Sequence, residues 1–333
     1  GGKLLYSKGM WEIIGHDRAV GSLRRAILSD RLPHAMLFSG PAGVGKTRLA
    51  LELAKALNCV GEEPPCQTCI HCRQIESGAH PDVSLVERAE GKDSIAIQQV
   101  RELRETASLR PFQGRTRIYI IAGAEALTPQ AADALLKTLE EPQPQVKFVL
   151  TATDAETLPP TVVSRCRLET LHPIETPLVS KALQERGQDI AEADRLARLA
   201  LGSVGWALRA AKQPKLAAER EAMVERLCSV LDLGLEERLQ LAETLSGDRK
   251  DRSTIRRNLE LLLLLGRDLL LISQGCPAKL VTDKQRDVLA QQAARYSIRE
   301  IVTYFRHLRR AMERIDQNVD PRLALEALFL SLA

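Results

Sequence analysis

The feature that most constrains the fold is the stretch Gly40-Pro41-Ala42-Gly43-Val44-Gly45-Lys46-Thr47, which reads G-x-x-x-x-G-K-T. It follows the apolar run 35–38, which predicts a short buried strand, and precedes Arg48 to Leu57, where leucines recur at helical spacing. In a P-loop, glycines let backbone N–H groups turn inward around phosphate, and the following helix contributes its positive end. Lys46 would reach the outer phosphates, and the Thr47 hydroxyl would ligate Mg²⁺.

The implied ligand is ATP or ADP with Mg²⁺. A glycine-rich turn without a ligand would explain the glycines but not the Lys-Thr pair that follows them. The motif does not state whether the nucleotide is hydrolysed. The candidate nucleotide-binding residues in and beside this loop are Gly40, Gly43, Val44, Gly45, Lys46, Thr47 and Arg48.

Composition excludes several classes of protein. The chain has 44% apolar and 27% charged residues, which is ordinary for a globular protein with two or three domains. Aromatic residues make up only 3%, which argues against a surface that stacks many bases, and a net charge of +4 does not by itself indicate nucleic-acid binding. Seven cysteines without an apolar leader favour a reducing cytoplasm, where clustered thiols more often hold metal than form disulfides. The expected localisation is therefore cytoplasmic.

Two segments could be mistaken for targeting or membrane elements. Residues 1–9 are interpreted as an extension before Met10, the expected native start. The most apolar stretch, Leu259 to Ile272, is interrupted by Gly266, Arg267 and Asp268, so we expect a buried helix rather than a membrane span.

Strand-like and helix-like segments alternate from Met10 to about Thr170, which predicts a parallel sheet covered by helices on both faces. The expected strands are 35–39, 83–86, 117–121 and 146–151. The expected helices are 17–29, 47–57, 95–107 and 129–140. No convincing strand appears after Thr176. Short helices with a break at Gly202-Ser203 are expected up to residue 212, and long helices follow Pro214.

A cluster of cysteines follows the P-loop helix, with the spacing C-x6-C-x2-C-x2-C over residues 59–72. Two-residue gaps let neighbouring thiolates converge on one tetrahedral ion, which suits a closed structural Zn²⁺ site. His71 could replace one ligand, but it lies between two cysteines and we expect it to point outward. The expected metal ligands are Cys59, Cys66, Cys69 and Cys72.

The acidic motif of a P-loop ATPase is missing from its expected place. That motif supplies a metal-binding Asp and a Glu that prepares the attacking water, and we expect it at the end of the strand beside the P-loop strand. The strand 117–121 is the best candidate, but it continues into Ala122-Gly123. Glu125 lies too far along and is interpreted as a first-turn carboxylate of the next helix. The chain is therefore expected to bind nucleotide and to be poorly equipped to cleave it.

The stretch from Ala134 to Pro142, A-L-L-K-T-L-E-E-P, followed by Ser164-Arg165-Cys166, resembles the clamp-loader branch of the AAA+ proteins. With Leu32-Pro33-His34-Ala35 before the P-loop and the cysteine insert after it, the pattern is similar to subunits of the bacterial DNA polymerase III clamp loader. The resemblance implies a nucleotide-binding α/β P-loop (AAA+) domain over residues 10–172, with the zinc insert at 59–72. A small helical lid over 173–212 and an all-α collar domain over 213–333 would follow.

The resemblance also implies roles for individual residues. Arg165 matches an arginine finger, which acts on nucleotide bound by the neighbouring subunit. Without that context, a surface ion pair would be the preferred reading of Arg165. Thr153 aligns with the residue that senses the gamma-phosphate, and Gly205 stands where the lid would supply another arginine. We expect Lys137 or Glu140, in the Leu-Leu-Lys-Thr-Leu-Glu-Glu-Pro segment, to contact a neighbouring subunit.

Two subunit types of this loader share these signatures, the ATP-hydrolysing gamma/tau type and the delta-prime type. The missing acids favour the second type. The resemblance implies that such a subunit is a non-hydrolysing or weakly hydrolysing stator within the polymerase III holoenzyme, which donates the finger during ATP-dependent clamp loading. The alternatives are a gamma/tau-type motor that uses Glu125 or Asp133, and a nucleotide-gated binding module outside replication. The implied partners are the gamma/tau and delta subunits, the sliding clamp and primed DNA, with no membrane. Arg101, Arg104 and Arg110 are candidate DNA contacts, but their helix also carries Glu102 and Glu105, so a solvated face of mixed charge explains them equally well.

Overall fold

The protein, seen here in a computed structural model, is described for residues 11–89, 91–141, 143–247, 252–276, 286–317 and 319–332. Met10, the expected native start, and Pro142 lie outside these residues. The chain divides into two compact units, of which the first ends at Leu208 and the second begins at Arg209. Each unit has buried side chains of its own.

The first unit is built on a sheet of five parallel strands in the order β2-β3-β4-β1-β5. The strands are β1 (Ala35–Ser39), β2 (Val83–Val86), β3 (Arg117–Ile121), β4 (Val146–Ala152) and β5 (Arg167–Thr170). The first four were expected from their apolar runs. The edge strand β5 was not, because Arg167, Leu168 and Thr170 are exposed and the segment carries no apolar signal.

Helices cover both faces of this sheet. They are α1 (Asp17–Leu28), α2 (Lys46–Asn58), α3 (Ile70–Glu76), α4 (Ile97–Ala107), α5 (Pro129–Glu140) and the short α6 (Pro160–Val163). Alternating strand residues serve two cores. Leu37, Tyr119 and Phe148 belong to the core that contains α4 and α5, whereas Met36 and Ile118 belong to the core that contains α1 and α2. The expectation of a parallel sheet covered on both faces is confirmed.

The expected position of β3 beside the P-loop strand is wrong. β1 pairs with β4 and β5, and β4 separates it from β3. β3 therefore lies one strand further from the P-loop strand than expected. The order of the strands depends on the crossover connections, which the sequence pattern does not specify. The end of β3 nevertheless remains near the site, because Gly123 donates its N–H to Thr151 Oγ1 at the end of β4, at 3.1 Å.

Three helices follow the sheet: α7 (Thr176–Gln184), α8 (Ile190–Ala200) and α9 (Val204–Lys212). α7 and α8 pack against each other. Gly202 lies between α8 and α9 with a φ of 79°, and a Cβ there would come within 2.6 Å of the Ile174 nitrogen, so only glycine fits this turn. The predicted break at Gly202-Ser203 is confirmed.

The second unit is helical throughout its described residues. Its helices are α10 (Pro214–Cys228), α11 (Leu235–Ser246), α12 (Arg252–Ser273), α13 (Arg286–Arg295), α14 (Ile298–Asp316) and α15 (Pro321–Leu330). α12 packs against α10, α13 and α14, and α15 packs against α11 and α14. Among the described residues no helix has the length and apolar character needed to cross a bilayer.

Candidate nucleotide site, finger arginine and thiol cluster

The loop between β1 and α2 has the backbone geometry that a P-loop requires. Gly40, Gly43 and Gly45 have φ values of 149°, 76° and 111°, in the region that favours glycine. A Cβ on Gly40 would lie 2.2 Å from the Leu171 carbonyl oxygen. Gly40 also donates its N–H to the Ala152 oxygen at 3.2 Å, which ties the start of the loop to the end of β4. The loop conformation therefore depends on glycine at these positions.

Lys46 and Thr47 begin α2 directly after the loop. The Lys46 ammonium donates to the carbonyl oxygens of Gly40 and Pro41, at 2.5 and 2.8 Å, so it lies over the mouth of the loop. Thr47 is half-buried beside it. A positive charge held above a glycine loop at a helix N-terminus is suited to an anion such as the phosphates of a nucleotide.

The N-terminal segment supports the loop from one side. His16 donates from Nε2 to the oxygen of Val44, at 2.9 Å, and Val44 itself is buried. Burial lowers the pKa of His16, which favours the neutral form of the imidazole. Sequence analysis did not identify His16 as a loop-supporting residue, because a lone histidine carries no such signal.

The start of α9 supports the loop from the other side. Gly205 donates its N–H to the Gly43 oxygen at 2.8 Å, and a Cβ on Gly205 would lie 3.2 Å from that same oxygen. A Cβ on Gly43 would in turn lie 2.2 Å from Ser203 Oγ. The residue in the expected lid-arginine position is thus in backbone contact with the P-loop. Because residue 205 is a glycine, it has no side chain that could contact a phosphate.

Arg48 lies in a network of carboxylates. Its guanidinium bonds both oxygens of Glu76, at 2.6 and 2.8 Å, and lies 2.5 Å from Glu12 Oε2 and 3.1 Å from Glu52 Oε1. The buried Lys55 adds a second cation to the same acids. The structure thus places Arg48 among acids that connect α2 with α3, rather than with the Lys46 ammonium over the loop.

Thr153 follows β4 and is held by Glu125. The Thr153 N–H donates to Glu125 Oε1 at 3.3 Å, and Glu125 lies in a single 3₁₀ turn, Ala124–Ala126, after β3. Ala122 and Gly123, the first two residues after β3, provide no carboxylate. Glu125 therefore reaches the end of β4 as an acceptor for a backbone N–H.

Arg165 follows α6 and lies near the surface. Its Nε donates to Glu140 Oε1 at 2.7 Å, and Nη2 contacts the same carboxylate, while Nη1 donates to the Thr161 oxygen at 2.7 Å. Glu140 is the last residue of α5. Within this chain Glu140 therefore contacts Arg165, and Lys137 lines a cleft of about 440 Å³ together with Arg101 and Arg104.

The four cysteines come together as the spacing predicts. Their sulfur atoms all lie within 4.8 Å of one another, although Cys59 precedes Cys66 by seven residues in the sequence. Backbone N–H groups point at the sulfurs: Gly61 and Cys66 donate to Cys59 Sγ, both at 3.3 Å, and Cys69 donates to Cys66 Sγ at 3.3 Å. Such donors are typical partners of metal-bound thiolates, so the residues fit a tetrahedral zinc ion.

The pKa values of the thiols in the cluster are shifted in different directions. Although burial opposes ionisation, hydrogen bonds from Thr68 and the Cys69 amide lower the pKa of the Cys66 thiol to about 6. Burial raises the pKa of the Cys72 thiol. His71 lies outside the sulfur cluster, and its Nδ1 is 2.9 Å from His80 Nε2. It therefore does not serve as one of the four ligands.

Sequence analysis missed two buried anchors, Asp82 and Asn58. The Asp82 carboxylate accepts from the N–H groups of Phe112, Gln113 and Gly114, at 2.7 to 2.8 Å, and pairs with Arg117 at 2.8 Å. Although burial disfavours its charge, these donors lower the pKa of Asp82 to about 2. Asn58 Oδ1 accepts the next two N–H groups along the chain. Single polar residues give no pattern that would have identified them.

Sequence profiles relate the chain to DNA polymerase III. The family described as "DNA polymerase III, delta subunit" matches residues 15–175, and the family described as "DNA polymerase III, delta subunit, C terminal" matches residues 215–333. DNA polymerase III subunit delta' of Bacillus subtilis is 31% identical over 323 residues, which is 95% of each protein. Subunit tau of Escherichia coli is 33% identical over 228 residues, which is 66% of this chain and 35% of tau.

The fold is shared with a RuvB structure. A RuvB variant of Thermotoga maritima aligns over 79% of this chain and 92% of its own, with a TM-score of 0.50 and 16% identity. A gamma subunit-related protein of the same organism aligns over 93% of this chain and 97% of its own, with a TM-score of 0.42 and 18% identity. The expected fold class, an α/β P-loop domain followed by helices, is confirmed.

Proposed function

Because the chain belongs to the delta' family of DNA polymerase III clamp-loader subunits, we propose that it presents Arg165 to nucleotide bound by a neighbouring subunit and hydrolyses little or no nucleotide itself. In this role it acts as a stator within the holoenzyme. Its partners are the gamma/tau and delta subunits, the sliding clamp and primed DNA. The proposed domains are those that the sequence predicts, namely a nucleotide-binding domain, a helical lid and a helical collar.

The observation that carries this proposal is the chemistry at the end of β3. Ala122 and Gly123 offer no metal ligand and no base for water, and Glu125 is occupied by the Thr153 N–H. Loss of a catalytic base costs orders of magnitude in the rate of phosphoryl transfer. Gly205, which packs on the loop through its backbone, adds no charge to the site. An arginine finger acts on another subunit's nucleotide and needs none of these groups.

The P-loop itself retains the residues that bind phosphate. Lys46 and the N-terminus of α2 would hold the outer phosphates of ATP or ADP, and Thr47 would ligate Mg²⁺ that neutralises their charge. Thr153, whose N–H donates to Glu125, would contact the gamma-phosphate. Arg48 would influence binding through α2 and not by direct contact.

The proposal is tested by a pair of measurements on the purified chain, equilibrium ATP binding and steady-state hydrolysis. We expect binding without appreciable turnover, and we expect Lys46→Ala to weaken the binding. Turnover that Lys46→Ala abolishes would overturn the non-hydrolysing role. Residual turnover that survives Lys46→Ala comes from a contaminating enzyme.

The finger is tested in a loader reconstituted with its ATPase and delta subunits. Arg165→Ala should leave the nucleotide affinity of this chain unchanged and lower the ATPase rate of the complex, by at least about tenfold at the site that it serves. Arg167→Ala removes an exposed arginine two residues away and serves as the matched control. Equal rates for the two variants would remove Arg165 from the mechanism.

A gamma/tau-type motor is the second candidate, favoured by the 33% identity to tau over 228 residues. It would need a displaced acid, with Glu125 or Asp133 as the available residues. Glu125→Gln separates the two roles. A motor would lose turnover in this variant, whereas in a non-hydrolysing subunit the change would affect only the Thr153 contact.

The four thiols are proposed to hold one structural Zn²⁺ ion. When bound, zinc would crosslink Cys59 with the insert that contains Cys66, Cys69 and Cys72. Metal analysis should give about one equivalent of zinc per chain. A metal-free preparation that is stably folded would exclude the structural role.

A further inference from the structure

The helix α14 carries a stripe of arginines on the face opposite its core. Ile301, Tyr304, Leu308, Ala311 and Ile315 are the buried residues of this helix. Arg299, Arg306 and Arg310 are exposed and fall within an arc of about 40° on the other side, at about 100° per residue. The exposed Arg314 extends the row by one turn. These four residues define the arginine stripe.

The stripe is not neutralised within the described part of the chain. No ion pair to any of its four guanidinium groups occurs there. The nearby acid Glu313 pairs with Arg309 at 3.3 Å, and Glu300 accepts hydrogen bonds from Ser297 at the start of the helix. Like charges at i and i+4, as in Arg306 and Arg310, destabilise a helix. The repulsion between these arginines therefore reduces the stability of the helix, and an anionic partner would relieve it.

The charge of the whole chain is concentrated in this unit. Residues 209–333 contain 22 lysines and arginines and 18 acidic residues, so the entire net charge of +4 lies there. The stripe spans about 22 Å along the helix axis, from residue 299 to residue 314, at about 1.5 Å per residue. Duplex DNA carries about one phosphate charge per 1.7 Å of its axis, so this length faces many phosphates.

We propose that the arginine stripe of α14 is a docking surface for the phosphate backbone of duplex DNA. The stripe belongs to the second unit, whereas the P-loop and Arg165 belong to the first, and the proposal does not depend on the roles proposed for them. Guanidinium groups bind phosphate oxygens bidentately, which makes arginine a suitable residue for such a surface.

The side chains around the stripe favour duplex DNA over other polyanions. The aromatic residues of α14, Tyr304 and Phe305, are buried and half-buried, so the exposed face offers no ring for stacking single-stranded bases. Protein interfaces usually have an apolar or aromatic centre. Here the exposed apolar residues of α14 are Ile298 and Val302, at 51% and 39% exposure, and two aliphatic side chains at the end of the stripe are too small an area for such a centre.

The test is a titration of the full chain with a labelled duplex of mixed sequence, followed by fluorescence anisotropy at several salt concentrations. Four phosphate contacts predict a slope of about −3.6 for log Kobs against log salt, or about a 150-fold loss of affinity between about 50 and 200 mM salt. The variant Arg299→Gln/Arg306→Gln/Arg310→Gln should reduce the slope to about −0.9 and the loss to about 3- to 4-fold. Circular dichroism should show that this variant keeps its helix content, because the changes remove repulsion from exposed positions.

The matched control is Arg209→Gln/Lys212→Gln/Arg226→Gln, which removes the same charge from exposed positions on α9 and α10. Its slope should stay close to that of the parent chain. Equal slopes for the two triple variants, or no measurable binding by the parent chain, would overturn the proposal. Tighter binding of single-stranded DNA of the same length would also overturn it. Binding of poly-glutamate that depends on the stripe, without binding of duplex DNA, would overturn it as well and would identify an acidic protein segment as the partner.

Discussion

Arg165 shares its guanidinium between a carboxylate and a carbonyl of its own chain, Glu140 and Thr161. Both partners of the ion pair are partly exposed, so the pair contributes only about 0–1 kcal/mol to stability. Glu140 also cancels the charge that Arg165 would offer to a neighbour's phosphate. If Arg165 acts as the proposed finger, its contact with Glu140 would compete with a contact to phosphate.

Glu140→Gln should keep a hydrogen-bond acceptor for Arg165 while removing the competing charge. We expect the ATPase rate of the reconstituted loader to rise at limiting ATP, by up to about fivefold, which corresponds to about 1 kcal/mol. Glu141→Gln changes the neighbouring exposed acid and should have no such effect. A fall similar to that of Arg165→Ala would instead mean that Glu140 holds the finger in its active orientation.

The buried Asp82 carboxylate controls the loop that leads into β3. With its pKa lowered to about 2 from 3.8, the group adds stability above pH 3.8 and loses it as the pH falls through about 2. The shift corresponds to about 2 kcal/mol of unfolding free energy. Urea unfolding of the parent chain at neutral and acidic pH should show this loss.

Asp82→Asn should remove that pH dependence and destabilise the protein at pH 7 by about 3–5 kcal/mol, because Arg117 would be left with an unpaired buried charge. Asp93→Asn, at an exposed position, is the control. A variant with unchanged stability at pH 7 would show that the loop does not depend on this carboxylate.

At the scale of elements, α12 and α14 approach closely at Gly266. A Cβ on Gly266 would lie 2.6 Å from Tyr304 Cε1, and the Tyr304 hydroxyl donates to the Leu262 oxygen at 3.0 Å, so the ring is fixed where the methyl group would go. Alanine is favoured over glycine inside a helix by about 1 kcal/mol. Packing opposes this preference here.

Gly266→Ala should therefore destabilise the protein by about 1–3 kcal/mol, the usual range for overpacking, despite its better helix propensity. Thermal unfolding measures the change. Gly266→Ala combined with Tyr304→Ala should recover part of the loss relative to Tyr304→Ala alone, since the obstructing ring is gone. A stabilised single variant would contradict the close approach.

The cysteine insert is connected to the P-loop helix by buried polar groups. Gln67 donates to Glu52 at 2.6 Å and accepts from Lys55 at 2.8 Å, and Lys55 is only 1% exposed. If the insert unfolds, Lys55 loses partners in a buried position, which is costly. Metal binding in the insert should therefore stabilise α2.

Removal of metal with a chelator, or the substitution Cys69→Ser, should increase hydrogen exchange in α2 as well as in the insert. Cys276→Ser changes an exposed thiol outside the cluster and should leave exchange in α2 unchanged. Faster exchange confined to residues 59–72 would show that the polar contacts do not couple the two elements.

At the scale of the whole molecule, the two units have separate cores, so unfolding need not be a single transition. The two tryptophans of the chain, Trp11 and Trp206, both lie in the first unit. Tryptophan fluorescence therefore reports on that unit alone, whereas far-UV circular dichroism reports on the helices of both.

We expect the fluorescence and dichroism transitions in urea to have different midpoints. Zinc chelation should move the fluorescence midpoint more than the dichroism midpoint, since the thiol cluster belongs to the first unit. Coincident curves under both conditions would show that the units unfold as one cooperative body.

The sequence by itself determined the features that depend on local pattern. Apolar runs placed β1 to β4, and the glycine and lysine spacing placed the phosphate loop between β1 and α2. Cysteine spacing identified a cluster whose sulfurs do come together, and the motif around Arg165 led to the family. Each of these signals lies within a few residues, where side-chain periodicity and backbone geometry are set by the chain itself.

Tertiary structure decided which distant residues meet. The order of the strands put β4 between β3 and β1, and β5 became an edge strand without an apolar signal. Glu125 was brought to Thr153, Glu140 to Arg165, and Gly205 to the P-loop. These contacts depend on crossovers and packing that join segments far apart in sequence, where a single side chain leaves no periodic pattern to read.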